Sequence, residues 1–318
     1  MMNSLIKFHL VGCFALVSFN GFAETEIPST QPGDRAYSPY IEQDYPNQIF
    51  FGDTHLHTSY SADAGMVGNT LGPDAAYRFA KGEVVISSTG VEARLARPLD
   101  FLVVADHAEN IGLSPLLTAK DQTLLSTTFG QQLNEAMEAG DPASAWSIWS
   151  SAKATGKDPL ADYPEIYMNA WSSITEAAER HNEPGLFTAL IGFEWTSNPG
   201  RNNLHRNVIF SGGKKGADRI VPFSNFDSFD PEDLWDWMKR AEEITEQRIL
   251  AIPHNGNLSN GLMFDEVRLS GAPFDTDYFR RRSHWEPLYE VTQMKGDGET
   301  HPLLSPNDEF ADFETWDK

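Results

Sequence analysis

Cysteine is nearly absent: Cys13 is the only one in 318 residues, and it falls inside an apolar N-terminal stretch. With residues 1–23 read as a removable leader, the remainder has no thiol, which excludes disulfide stapling and thiolate catalysis. Basic residues are scarce too, with 24 Lys and Arg against 46 Asp and Glu, for a formal net charge of −22. So negative a chain offers a polyanion little attraction, and nucleic acid is excluded as a general partner. The longest apolar run, 8–19, is too short to span a bilayer. No Gly-x-Ser-x-Gly elbow occurs, and "SGGKKG" lacks the spacing of a phosphate-cradling loop and reads as a hairpin turn.

What is present is globular: 40% hydrophobic, 12% aromatic and 22% charged residues, proportions that can bury a sizeable core. Residues 1–23 have the build of an export signal: Lys7, an apolar run, then Gly21 and Ala23. The protein is therefore expected to be periplasmic or secreted, with no membrane attachment after cleavage. Residues 24–47, rich in Pro, Thr, Ser and Tyr, read as an extended lead-in to a domain at 48–318. Apolar runs at 49–57, 101–106, 188–194, 207–210, 249–254 and 288–294 predict strands. Helices are expected from Pro73 to about Gly82, after Asp230, and as two or three elements in 121–182, one of them near 164–182. Strands alternating with helices predict an α/β fold with a mainly parallel sheet, and 111–185 reads as a helical insertion.

The chemistry is carried by where polar residues fall on these strands. His55 and His57 are two apart in "FGDTHLHTSYSADAG", so on an extended segment both imidazoles face one side and can reach one ion. "LDFLVVADHAEN" stops at Asp106 and His107, "LFTALIGFEWTS" ends with Glu194, "LHRNVIF" begins with His205 nearby, and "ILAIPHNGN" ends in His254. Apolar strands have no packing reason to finish repeatedly in imidazoles and carboxylates, whose burial is costly unless they are paired or bind an ion. A hydrogen-bonded polar cluster is the alternative reading.

"DTHLHTSYSADA", "VVADHAE", "GFEW" and "IPHNG" resemble, in order, the first motif groups of the PHP (polymerase and histidinol phosphatase) metal-dependent phosphoesterase superfamily. More closely, "PDAAYRFAKGE", "ARPLDFLVVADHAE", "HRNVIF" and "EPLYEVTQMKGDGETHP" resemble the exported DUF3604 family. The PHP resemblance implies a distorted (β/α)7 barrel holding two or three divalent ions (Zn, Mn or Fe) at its rim. It implies metal-dependent hydrolysis of a small phosphate ester by a metal-bridged hydroxide. Carried over by position, His55, His57, Asp106, His107, Glu194, His205 and His254 would be the metal ligands, with Glu194 bridging, and Asp63 would orient a histidine.

Two departures stand out. Asn255 follows His254 where the superfamily commonly has proline, and no Asp-x-His follows residue 254, with Glu299-Thr300-His301 as the nearest substitute. The second departure predicts a C-terminally incomplete member lacking its last strand. Arg201, Arg206 and Lys295 are candidates for gripping a substrate phosphate, Arg206 and Lys295 being assigned to catalysis together with Asp63. His181, His284 and the Arg280–Arg282 run read as surface residues. The rival functions are an exported metal-binding protein, a catalytically impaired fragment, and an amidohydrolase-type C–N hydrolase.

Overall fold

A computed structural model describes residues 49–298 together with 302–303, 306–307, 309 and 311–312. The leader 1–23, the lead-in 24–47 and Glu299, Thr300 and His301 lie outside the described residues. The unit that carries every element below begins at Phe50. Its strands are β1 (Gly52–Leu56), β2 (Val85–Ile86), β3 (Glu92–Ala93), β4 (Phe101–Val104), β5 (Thr188–Trp195), β6 (Arg206–Phe210), β7 (Ile249–Pro253), β8 (Thr292–Gln293) and β9 (Gly296–Asp297). Five of them form the main sheet in the order β1-β4-β5-β6-β7.

The fold is mixed α/β, and the expectation of a mainly parallel sheet needs one correction. β1, β4 and β5 pair in parallel, but β6 runs antiparallel to both β5 and β7. The cause is local: residues 196–205 are too few for a helical crossover, so the chain can only turn back beside β5. The run 288–294 does not join the sheet either. Only Thr292–Gln293 is extended there, paired with β9 in a small hairpin, while Leu288, Val291 and Met294 face solvent. A strand needs a face to bury, and this segment has none.

The sheet curls strongly. β1 and β7 are its two edge strands, yet the rings of His55 and His254 at their ends are 4.1 Å apart. Asn207 of β6 also reaches across the concave side to the Thr54 carbonyl, 3.1 Å away. Alternate residues line the inside of this half-barrel: Val103, Ala105, Ile209 and Ile252 form a small dry cluster with Leu190 and Leu250. Gly192 belongs to the same inner row. A Cβ there would lie 2.6 Å from Val103 Cγ1 and 2.8 Å from the Val208 carbonyl, so only glycine permits the close approach.

The outward-facing residues, among them Leu102, Val104, Ile191, Phe193, Trp195, Val208, Phe210 and Ala251, pack under helices in the larger core. Those helices include α2 (Pro73–Ala80), α7 (Pro164–His181) and α9 (Pro231–Thr245), each opened by a proline in its first turn. Before α7 come α3 (Leu113–Thr118), α4 (Gln122–Leu125), α5 (Thr128–Glu138) and α6 (Pro142–Ala154); within 121–182, α4, α5, α6 and α7 make four helices where two or three were expected. Their own core of Leu117, Leu124, Phe129, Leu133, Trp149 and Leu160 also takes in Ala62 and Met66 of α1 (Ala62–Met66), the helix just after His57. The "SGGKKG" stretch is one helical turn, α8 (Lys214–Ala217), rather than a hairpin. The last helix, α10 (Thr276–Trp285), is capped by Asp275 accepting from the Tyr278 N–H.

Candidate metal centre

The site follows from the period of two along each strand. Continuing the inner rows outward from Val103 and Ala105 gives His107; from Leu190 and Gly192, Glu194; from Ile252, His254. β6 runs the opposite way, so its amino end lies at that same edge, and the row of Ile209 and Asn207 leads to His205. On β1, His55 and His57 flank Leu56, which faces the outer core. Every imidazole and the one glutamate thus emerge from the same concave face at the same rim.

Glu194, fully buried, sits at the centre. Its Oε2 lies 2.8 Å from His57 Nε2, 3.3 Å from His55 Nε2 and 3.5 Å from His107 Nδ1. Its Oε1 lies 2.7 Å from His205 Nδ1 and 3.1 Å from His254 Nε2. Two ligand triplets share it, His55–Glu194–His254 and His57–His107–Glu194, each with its ligand atoms within 4.8 Å of one another. His205 completes neither triplet and stands beside Glu194 between the His107 and His254 rings.

Hydrogen bonding alone does not account for this crowding. A carboxylate offers about four lone-pair positions, fewer than the imidazoles pressed around it. His57 Nε2 and His205 Nδ1 are close to Glu194 but out of line for hydrogen bonds, and His205 Nε2 and His254 Nδ1 are also buried without partners. Unpaired buried nitrogens are costly. Lone pairs aimed at shared cations remove that cost, and imidazole plus carboxylate is a donor set suited to divalent transition metals. The residues present fit such ions.

An outer set of groups fixes the rings. Glu290 Oε2 stands 2.8 Å from His55 Nδ1. Asp63 touches His57 Nδ1 and His107 Nε2, each at 3.2 Å, while Ser61 donates to Asp63 at 2.6 Å and accepts from the His107 N–H. The Thr196 hydroxyl meets His107 Nδ1. Buried Glu109 accepts the backbone N–H groups of Thr196 and Asn225 at 3.2 and 2.7 Å.

The electrostatics follow these contacts. Burial alone would lower His55 and His57, but the carboxylates of Glu194 and Glu290 raise His55 to about 8, and those of Asp63 and Glu194 raise His57 to about 10. His205 and His254 are pushed down, to about 3 and about 4, because burial wins over their contact with Glu194. Burial opposes ionisation of Glu194 and Asp63, yet the surrounding imidazoles hold both below the usual carboxylate range.

Two sequence assignments are corrected by strand phase. Asp106 is one residue out of step with Ala105 and His107, so it points away from the centre. Its carboxylate accepts the Thr58 N–H at 2.5 Å and the Thr58 hydroxyl at 2.7 Å, and burial raises it to about 6. It anchors the loop after His57 and belongs to neither ligand triplet. Arg206 is likewise out of step with His205 and Asn207 and belongs to the outer row. There it pairs with Glu286 at 3.0 Å, over the Trp195 ring, so it is not placed to grip a substrate at the centre.

Asp63 holds two ligand histidines, a positioning role. Lys295 lies half-buried in the β8–β9 turn, its carbonyl accepting from Asn257 Nδ2 at 2.9 Å, and Arg201 is exposed in the 196–205 connection. His181 is bridged to Asp74 at 3.0 Å and stacked on Tyr77, more enclosed than a plain surface residue. Sequence reasoning missed Glu290, Thr196 and Glu109. The first had a signal, a carboxylate in an apolar run, whereas the other two had none. Asn255 has φ +58°, a left-handed conformation that asparagine tolerates and proline's ring forbids, which accounts for the departure after His254.

The sequence model of a family described as "Protein of unknown function (DUF3604)" matches residues 44–318. No curated protein and no solved structure matches the chain.

Proposed function

This chain belongs to the DUF3604 family, and from that premise we propose that it is an exported metal-dependent hydrolase acting on small phosphate esters. The supporting observation is Glu194 shared between two imidazole pairs, the arrangement of a carboxylate that bridges two divalent ions. The curled sheet with ligands at one rim supports the finer reading of a PHP-like barrel. Zn, Mn or Fe suits the mixed nitrogen and oxygen donors.

Ions of this kind, when bound, polarise water and a phosphoryl oxygen as Lewis acids. The chain's own residues prepare that chemistry. Glu290 and Asp63 stand at the Nδ1 atoms of His55 and His57, which faces each Nε2 toward Glu194, where it would ligate an ion once its own proton is displaced. Thr196 and Ser61 fix His107 and its backbone. The apolar floor of Val103, Ala105, Ile209 and Ile252 keeps water from entering beneath the centre. Among the described residues no helix is long and apolar enough to cross a membrane.

Elemental analysis and a phosphatase screen on the purified protein and on His57→Ala test the proposal. The expected result is metal and turnover in the wild type, with both reduced in the variant. Metal without turnover would favour a metal-binding protein, and no metal in either protein would overturn the scheme.

A further inference from the structure

Most of the partly covered cations in this molecule have an acid beside them. Lys81 pairs with Glu183 at 2.7 Å, Arg268 with Glu232 at 2.7 Å, Arg281 with Asp236 at 2.7 Å and Lys214 with Asp218. Lys153, half-buried near the carboxyl end of α6, makes no ion pair among the described residues, in a chain with 46 acids and 24 bases. Its ammonium instead lies over the Trp149 ring, 4.8 Å from the centroid. That contact holds the group in place, and no protein acceptor among the described residues takes its N–H donors.

The surroundings tie Lys153 to the metal centre. Trp149, one helical turn earlier and buried, has its ring 6.1 Å from that of His107. The Lys153 carbonyl accepts from Asn225 Nδ2 at 3.3 Å, and Asn225 N–H donates to Glu109, which also holds the backbone of Thr196. Burial lowers the Lys153 pKa, Glu109, Glu194 and Asp63 pull it back up, and the Lys295 ammonium pushes it down again. The carboxylates acting on it are therefore those of the centre. An ammonium held over Trp149, next to His107 and paired with no acid among the described residues, leaves room for a bound anion.

Building on the hydrolase reading above, we propose that Lys153, delivered by the helices between β4 and β5, binds the anionic oxygens of the substrate at the metal centre. An ammonium there offers a phosphate charge-assisted hydrogen bonds while the ligand set addresses the reacting side.

Inorganic phosphate is the probe, titrated calorimetrically into metal-loaded protein, alongside p-nitrophenyl phosphate kinetics. Lys153→Met should weaken phosphate binding and raise KM about tenfold or more, with metal content near wild type, and Lys153→Arg should stay within about threefold. An unchanged phosphate dissociation constant in Lys153→Met with metal retained overturns the assignment and leaves the hydrolase reading standing. Wild-type protein that binds phosphate through Lys153 but hydrolyses no ester overturns the hydrolase reading and leaves the anion site standing. If Lys153→Met melts early or loses metal, Lys153→Arg against Lys153→Gln decides: equal phosphate affinity in these two overturns the proposal, and tighter binding by Arg upholds it.

Discussion

The two faces of the curled sheet each bury a cluster of charge, and they solve the problem differently. On the outer face Arg206 and Glu286 form one pair, and their remaining capacity is largely used: Trp235 Nε1 donates to Glu286 at 2.8 Å, and the Leu204 carbonyl takes an Arg206 N–H. On the inner face the imidazoles outnumber the lone pairs of Glu194, and several nitrogens have no partner. The one Glu286 oxygen without a hydrogen bond still has Arg282 Nε 3.4 Å away, so the outer cluster is answered by the protein's own cations, as a structural ion pair is. The inner one keeps ring nitrogens that no protein group satisfies, so burial of charge by itself does not mark a candidate site, whereas unsatisfied ligand atoms converging on one carboxylate do.

The largest effect is expected from removing the shared carboxylate. Glu194→Ala should lose metal from both positions, with any hydrolase activity falling more than about a hundredfold, read by elemental analysis and initial rates. Metal retained at both positions would erase the contrast between the faces. Arg206→Met should do the opposite, costing about 3–5 kcal/mol in urea unfolding with metal content per folded chain unchanged. Adding Glu286→Leu should recover much of that loss, since two apolar groups leave no stranded charge.

Glu290→Gln tests the outer set of groups that hold the rings. It should weaken metal binding about 10–100-fold while leaving the fold intact, measured by competition with a chromogenic chelator.

The smallest effect is a shift in optimum. His55 and His57 are raised, so in metal-stripped protein their contribution is complete below the unfolded value of 6.5 and is lost as pH rises through about 8 and about 10. His205 and His254 are lowered to about 3 and about 4, so they oppose folding increasingly as pH falls from 6.5 toward those values. Stability of the stripped protein should peak near pH 6.5, and a urea midpoint rising steadily to pH 9 would contradict this.

Much of the ligand set was legible because it obeys the same alternation as the core. His107, Glu194 and His254 are in step with Ala105, Gly192 and Ile252, and residue type plus phase suffices to place them. Asp106 and Arg206 were misread because residue type was weighed without phase. The direction of β6 was not legible, since it depends on the shortness of the 196–205 connection and not on the strand's own residues. Glu290 escaped because it arrives on an irregular segment whose neighbours Leu288 and Val291 are exposed. Glu109 acts through backbone N–H groups and Thr196 through its hydroxyl on His107, contacts that carry no periodicity.

The reversed strand has one more consequence. Because His205 and Arg206 are adjacent, a slip of β6 by a single residue would thrust a guanidinium among the histidines and leave Glu286 stranded on the far side. Such a mispaired chain would be punished at both surfaces together, so the residues that assemble the centre also help proofread the alignment of the strand that presents it.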